Sequence, residues 1–172
     1  MKSGESSSSV LEKAAWAGRA LENFLLSIVL SGMILLASAQ IIMRNFAGGG
    51  IAWADEALRL MLLWLAMLGA VAASRENRHI AIDVLSRVLP PALKTGVSVG
   101  IHTFTAVVAG LLAWYAWVFL GESFEYQDKL LGNMPAWWFQ SILPVAFALM
   151  AYRYIVHALS SLRALFSGEA ES

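Results

Sequence analysis

The amino-acid sequence predicts an all-α integral membrane protein with four transmembrane helices. Of its 172 residues, 59% are hydrophobic and only 14% are charged, and the mean hydropathy is +0.65. A soluble domain carries roughly 25% charged residues, so this composition indicates a membrane protein. Four long apolar stretches are also present, and a helix needs about 20 such residues to cross a bilayer core.

Charge balance and cysteine content exclude several function classes. The twelve basic and twelve acidic residues cancel to a formal net charge of zero. Nucleic-acid binding requires a basic surface, which this balance does not indicate. Because the chain has no cysteine, disulfides, thiolate catalysis, iron–sulfur clusters and cysteine-ligated zinc are excluded.

The four spans are predicted at residues 23–43, 54–74, 95–121 and 133–156. Arg59 lies inside the second span, and its long side chain can reach the membrane interface. The third span is longer than a bilayer requires, so we expect it to tilt or to project. Pro135 stands near the start of the fourth span, where a proline costs no hydrogen bond, and Pro144 should kink that helix mildly.

These spans make up a membrane domain at residues 21–160 between two cytoplasmic tails, 1–20 and 161–172. The serine run at 6–9 predicts partial disorder in the first tail. Ala37-Ser38-Ala39 resembles a signal-peptidase site, but the apolar run continues to Met43. A signal sequence has an apolar region of only ~7–15 residues, so we expect the first helix to be retained.

The distribution of lysine and arginine predicts that both termini are cytoplasmic. Lysine and arginine are retained on the cytoplasmic side of a membrane. This orientation places there Lys2, Lys13, Arg19, Arg75, Arg78, Arg87, Lys94, Arg153 and Arg163. Only Arg44, Arg59 and Lys129 fall on the opposite side. An outer aromatic belt would then contain Trp53, Trp114, Trp117, Trp137 and Trp138.

The connection between the second and third spans predicts an amphipathic helix in the membrane plane at residues 78–89. Its apolar residues alternate with polar ones so that one helix face is apolar, and Pro90-Pro91 ends it. An interfacial anchor is a simpler interpretation of this helix than a ligand site.

Histidines are the candidate ligands for a metal or a haem. His79 and Asp83 are four residues apart on this helix and, with Glu76, would offer metal ligands. A hydrogen-bonded pair is the favoured interpretation, because a metal site needs a full ligand set. His102 lies inside the third span, with no second histidine predicted at matched depth to hold a haem. We interpret it as an interhelical hydrogen-bonding residue rather than a proton carrier, and we predict no cofactor.

Trp53, Glu56 and Arg59 follow one side of the helix that becomes the second span. Glu56 can pair with Arg59, or with Arg44 across the short glycine-rich connection. Such a pair would cap the two helices, or would lie against a partner protein, because a charge near the hydrocarbon is better tolerated under protein. The acidic connection at 122–128 is interpreted as a solvated loop, with docking of an external partner as the alternative.

Small residues and missing motifs complete the pattern. Gly96 and Gly100 form a Gly-x-x-x-Gly pair, and Gly69 with Ala73 has the same spacing. Such pairs let helix backbones approach closely, within this chain or against another. The sequence shows no nucleophile–base set, no Walker-type motif and no inverted repeat of the kind found in complete transporters. We therefore expect a non-enzymatic part of a larger assembly.

An ordered series of residues resembles one family. The series reads Gln40-x-x-x-Arg44-Asn45-Phe46, Trp53-x-Asp55-Glu56-x-x-Arg59, Trp64, Gly69-Ala70, Arg75, His79-Ile80-x-Ile82-Asp83, Leu89-Pro90, Pro135-x-Trp137 and Arg153. It is similar to the small membrane subunit (DctQ type) of tripartite ATP-independent periplasmic transporters, the TRAP family.

This resemblance implies a scaffold subunit in a bacterial inner membrane. Its implied partners are a larger membrane subunit of roughly twelve helices, which holds the substrate and sodium sites, and a periplasmic substrate-binding protein. Sodium-driven uptake of an organic acid is implied as well. The alternative is the membrane-anchor subunit of a respiratory oxidoreductase, which should show haem-ligand histidines or a quinone pocket.

Overall fold

Four membrane-length helices form most of the structure. The computed structural model describes residues 4–46, 48–75 and 91–166, with side chains at 16–46, 48–75 and 96–163. The helices and strands in chain order are α1 (Gly4–Phe46), α2 (Ala54–Arg75), α3 (Pro91–Glu125), β1 (Lys129–Leu130), β2 (Met134–Pro135), α4 (Ala136–Gln140) and α5 (Ile142–Phe166). The predicted in-plane helix at 78–89, with Glu76, His79 and Asp83, lies outside the described residues.

Four described helical segments are long and apolar enough to cross a bilayer, which confirms the predicted number. They are Trp16–Phe46, Ala54–Arg75, Gly96–Glu125 and Ala136–Arg163. The first, third and fourth helices extend beyond the predicted spans, and the fourth begins at Ala136 rather than at residue 133. Helix α1 begins at Gly4, within the tail expected to be partly disordered, because the alanines, leucines and glutamates after the serines are strong helix formers. Helix α3 has 35 residues, or about 50 Å, so it exceeds a bilayer core.

The fourth span differs from one uniform helix. Pro135 ends strand β2 and caps α4 with an extended backbone (φ −61°, ψ 128°). The helix is then interrupted at Ser141, although the Ser141 backbone stays helical (φ −58°, ψ −22°). Pro144 consequently lies in the first turn of α5, where its missing N–H breaks no hydrogen bond. The irregularity expected at Pro144 is therefore at Ser141, one turn earlier.

A short hairpin connects α3 to α4. The acidic segment at 122–128, which was expected to be a solvated loop, begins within α3, because that helix continues to Glu125, and its acidic side chains are exposed. Strands β1 and β2 pair with each other, and Ala136 N donates to Asp128 O at 2.8 Å. The turn between them uses left-handed backbone at Leu131 (φ 52°) and Gly132 (φ 85°). Glycine adopts this conformation easily and leucine does not, so Leu131 needs a compensating contact.

The chain divides into two compact units. One unit contains α1, most of α2 and residues 130–134; the other contains the end of α2, α3, α4 and α5. In the second unit α3 packs along α5. Its buried small residues are Ala106 and Ala109 on α3 and Ala146 and Ala151 on α5. Alanines therefore allow the close helix packing in this unit.

The predicted small-residue pairs do not make the close approach within the described chain. A Cβ atom built on Gly69, Gly96 or Gly100 meets no described atom within 4 Å. Gly96 and Gly100 are exposed. These glycines therefore leave open helix surface.

Enlarging a buried alanine should destabilise the second unit. Ala146 is 2% exposed and its neighbour Val145 is 62% exposed. We expect Ala146→Leu to lower the free energy of unfolding by about 1–3 kcal/mol, because the extra atoms overpack the helix interface. Val145→Leu should change it by less than about 0.5 kcal/mol. Tryptophan fluorescence during heating in detergent measures both; equal midpoints for the two variants would contradict the packing described here.

Candidate functional site

The connection between α1 and α2 is held by one side chain of α1. Gln40 Oε1 accepts a hydrogen bond from Ile51 N at 2.9 Å, and Gln40 Nε2 donates to Ile51 O at 3.4 Å. The amide of Gln40 therefore bonds to both backbone groups of Ile51, whose carbonyl also accepts from Ala54 N at 3.0 Å. Such pairing matters near hydrocarbon, where water cannot serve the backbone.

Gly50 provides the space for this interaction. A Cβ atom at Gly50 would lie 2.8 Å from Gln40 Nε2, well inside the contact distance of real Cβ atoms. Gly48 adopts a left-handed backbone (φ 68°), whereas a Cβ atom at Gly49 meets nothing within 4 Å. A glycine is therefore favoured for a structural reason at Gly48 and Gly50, but not at Gly49. We refer to Gln40, Gly50, Ile51, Glu56 and Leu131 as the α1–α2 corner.

Glu56 serves the left-handed turn of the hairpin. Its Oε2 accepts a hydrogen bond from Leu131 N at 2.8 Å, and Glu56 lies in the first turn of α2. A carboxylate is favourable at a helix N-terminus, and its charge strengthens the bond from the amide. This contact provides the compensation that Leu131 requires.

The pairings expected for Glu56 are not the ones it makes. Within the described chain, no ion pair joins its carboxylate to Arg44 or Arg59. Both arginines are exposed, and Trp53 is 50% exposed. The corner therefore uses Gln40 and Glu56 internally and leaves Arg44, Trp53 and Arg59 on the surface. Trp64, Gly69 and Arg75, further along α2, are half-buried.

A polar contact links the C-terminal end of α2 to α5. Arg153 Nη1 donates to Ser74 Oγ at 3.4 Å, and Ser74 is 3% exposed. Both residues belong to the second unit. A serine at this position gives the guanidinium an acceptor without adding a second charge.

Two histidines face each other between α3 and α5. The ring centroids of His102 and His157 are 5.7 Å apart, and Tyr154 is 6.3 Å from each. The expectation that no second histidine matches the depth of His102 is therefore wrong, because helix packing aligns positions 102 and 157. Ser161 Oγ lies 3.4 Å from His102 Nδ1, which confirms His102 as an interhelical hydrogen-bonding residue. The Nδ1 atom of His102 therefore faces a serine hydroxyl of α5.

No metal site forms in the part of the chain that the structure describes. That part contains no group of three histidine, cysteine, aspartate or glutamate side chains able to hold an ion. The candidate set of Glu76, His79 and Asp83 lies outside it. The polar contacts described above join helices and turns to one another.

Aromatic side chains gather where α3 ends and α4 begins. Phe124 and Trp137 make an edge-to-face contact, with ring centroids 5.8 Å apart at 72°. The rings of Trp137 and Trp138 are tilted by 54° to each other, with centroids 5.5 Å apart. Beside them is an open cleft of about 200 Å³. Of the two residues here that carry the resemblance, Pro135 immediately precedes the fourth span and Trp137 lines this cleft.

Two contacts of the corner were missed by sequence reasoning. Gln40 is part of the resembling series, but its partner at Ile51 lies in a connection without periodic pattern. Leu131 is 75 positions from Glu56, and only the following glycine marks a turn there. Spacing on one helix predicts neighbours such as Glu56 and Arg59, so it favoured the pair that does not form.

Comparison with known proteins gives a match over most of the chain. The model of the family described as "Tripartite ATP-independent periplasmic transporters, DctQ component" matches residues 33–164. A Haemophilus influenzae protein named as a TRAP transporter small permease protein is 38% identical over 78 residues, which are 45% of this chain and 48% of that protein.

Two further relatives have names that include a solute. The C4-dicarboxylate TRAP transporter small permease protein DctQ of Vibrio cholerae is 34% identical over 74 residues, covering 43% of this chain and 32% of the relative. The sialic acid TRAP transporter permease protein SiaT of Haemophilus influenzae is 26% identical over 130 residues, covering 76% of this chain and 20% of the relative. The aligned stretches thus span from a fifth to about half of the length of these relatives.

The glycine next to the Gln40 amide gives a matched test of the corner. We expect Gly50→Ala to lower the free energy of unfolding by about 1–2 kcal/mol, because the new methyl group displaces Gln40 and breaks its hydrogen bonds to Ile51. Gly49→Ala should be nearly neutral, since nothing lies near its Cβ atom. Thermal unfolding in detergent compares them. Equal stability of the two variants would contradict the role assigned to Gln40.

Proposed function

The chain belongs to the DctQ component family of tripartite ATP-independent periplasmic transporters, and on that premise we propose that it is the small, non-catalytic scaffold subunit of a secondary transporter. The observation that carries the proposal is the match to residues 33–164. That range includes the C-terminal part of the first candidate span, from residue 33 to Phe46, and the whole of the other three. The four-helix membrane unit, rather than a terminal tail, is therefore the part shared with the family.

The proposed partners are a larger membrane subunit, which would hold the transport site, and a periplasmic binding protein. The similarity to SiaT supports a membrane partner, because the 130 aligned residues are only 20% of that polypeptide. In SiaT, the region similar to this chain is therefore only a small part of one long permease polypeptide. We infer that the counterpart of the rest of that polypeptide is here a separate membrane subunit, which pairs with this chain.

The surface of α2 supports contact with such a subunit. Arg59 is exposed in the second turn of a membrane helix, and a charge there is costly unless it reaches the interface or a partner. Arg44 and Trp53 are exposed as well, since Glu56 and Gln40 are used inside the corner. We infer that Arg44, Trp53 and Arg59 meet the larger subunit.

We propose an organic acid as the transported solute and the sodium gradient as the driving force. The names of the two relatives refer to C4-dicarboxylates and to sialic acid, and both are carboxylates. We infer that specificity belongs to the partners and that the contribution of this chain is to fix the larger subunit in the bilayer.

Within the membrane, we propose that both termini are cytoplasmic and that residues 78–89 form the in-plane helix. The excess of lysine and arginine near the termini and between the second and third spans supports this orientation. The membrane would be the bacterial inner membrane. In this arrangement the α1–α2 corner and the hairpin lie at the periplasmic end.

Uptake in the native host tests the proposed function. We expect deletion of the gene to abolish sodium-dependent uptake of labelled succinate or of labelled sialic acid, and the intact gene to restore it. Glu56→Ala should reduce uptake severalfold with normal expression, because Leu131 N loses its acceptor, at a cost of about 1–3 kcal/mol. Glu56→Gln keeps an acceptor oxygen and should retain most of the uptake. Uptake of both acids unchanged in the deletion strain would contradict the proposal.

Cysteine labelling tests the orientation, because the chain has no cysteine of its own. A membrane-impermeant maleimide added to spheroplasts should label Lys129→Cys and not Arg163→Cys. After lysis it should label both. Labelling of Arg163→Cys in intact spheroplasts would reverse the proposed orientation without affecting the family assignment.

A further inference from the structure

An open apolar cleft lies beside the C-terminal end of α3. Its volume is about 200 Å³, and it is lined by Trp117, Leu120, Gly121, Phe124 and Trp137. The four residues of α3 are spaced at i, i+3, i+4 and i+7, so they share one helix face. The edge-to-face contact of Phe124 and Trp137 bounds the cleft at one end.

Gly121 creates the space in this cleft. A Cβ atom built there meets nothing within 4 Å, whereas its neighbours on this face are large apolar side chains. The aromatic walls remain accessible, since Trp117 is 67% exposed and Phe124 is 65% exposed. None of these side chains takes part in the α1–α2 corner.

Four charged residues lie close in sequence to the residues that line the cleft. Glu122 and Glu125 lie in the last turn of α3 and follow the lining residues Gly121 and Phe124 in sequence, and Asp128 and Lys129 come three and four positions after Glu125. All four side chains are exposed, and within the described residues none of them makes a hydrogen bond or an ion pair. Two carboxylates are thus sequence neighbours of residues that line the cleft, and the connection after α3 adds a third carboxylate and one ammonium.

The size of the cleft favours an alkyl chain over a compact ligand or a protein helix. Pockets for compact ligands usually measure about 300–1,000 Å³, and a stable protein interface buries roughly 800 Å² on each partner. Five lining residues fall short of such an interface. Tryptophans are enriched at the level of lipid headgroups, so an acyl chain entering here would have its headgroup near the charged groups.

The charges select among lipid headgroups. An ammonium group on a lipid would complement the carboxylates, and Lys129 would complement its phosphate. A lipid with net negative charge would meet three carboxylates and one ammonium. The quaternary ammonium of phosphatidylcholine cannot donate hydrogen bonds to a carboxylate. The primary ammonium of phosphatidylethanolamine has three donors, as in lysine, and is therefore favoured.

We propose that the cleft binds one acyl chain of phosphatidylethanolamine, with the lipid phosphate at Lys129 and the lipid ammonium at Glu122 and Glu125. This site is separate from the α1–α2 corner and does not depend on the proposed transport function. It would give the C-terminal end of α3 a fixed lipid at the membrane boundary.

Native mass spectrometry of the full chain tests the site. The chain is released from nanodiscs that contain equal amounts of phosphatidylethanolamine, phosphatidylglycerol and phosphatidylcholine. We expect the wild type to retain one phosphatidylethanolamine and Gly121→Trp to lose it, because the indole fills the cleft. Gly110→Trp is the matched control, since Gly110 is also an exposed residue of α3 with nothing near its Cβ atom. It should retain the lipid.

Headgroup selectivity supplies the second readout. Lys129→Gln with Glu125→Gln should at least halve the ratio of retained phosphatidylethanolamine to phosphatidylcholine. Equal retention by Gly121→Trp and Gly110→Trp, or a preference of the wild type for phosphatidylglycerol, would overturn the proposal. A photo-crosslinking residue at position 124 in native membranes should give a lipid adduct; a polypeptide adduct would show instead that a protein occupies the cleft.

Discussion

The requirement that backbone groups near hydrocarbon find partners inside the protein governs the α1–α2 corner. Helices satisfy this requirement along their length, but the segments that connect them do not. Here Gln40 serves the backbone of Ile51, and Glu56 serves the amide of Leu131. One neutral amide and one carboxylate thus make two turns compatible with a membrane boundary, and Gly50 leaves the space that one of them needs.

The contacts made inside the chain determine which residues remain on its surface for contacts with other molecules. Glu56 is bound to a backbone amide, so it does not neutralise Arg44 or Arg59. Alanines form the close contact between α3 and α5, so Gly96 and Gly100 remain on the surface. The arginines and the glycines are therefore exposed on the surface of the chain. Exposed residues of this kind are expected in a subunit that holds a larger partner.

Composition and hydropathy predicted the membrane class and the four helices, because these depend on the average chemistry of long segments. Local irregularities and long-range contacts were harder to predict from the sequence. The interruption at Ser141 depends on how the helix accommodates Pro144, and the hairpin depends on a left-handed leucine that no propensity favours. His102 and His157 are 55 positions apart, so only the packing of α3 on α5 brings their rings together. Gln40, Gly50 and Glu56 of the corner were singled out from the sequence, but their partners Ile51 and Leu131 were not. Glu56 was assigned to the arginines, since helix spacing gives no information on distant turns.

The central claim is that this chain acts as an auxiliary subunit beside a larger membrane protein. Affinity purification of the chain from gently solubilised native membranes, followed by mass spectrometry of the associated proteins, tests it most directly. The account predicts one polytopic membrane protein in stoichiometric amount. A flavoprotein or a cytochrome in its place, or the recovery of the chain alone, would contradict the account.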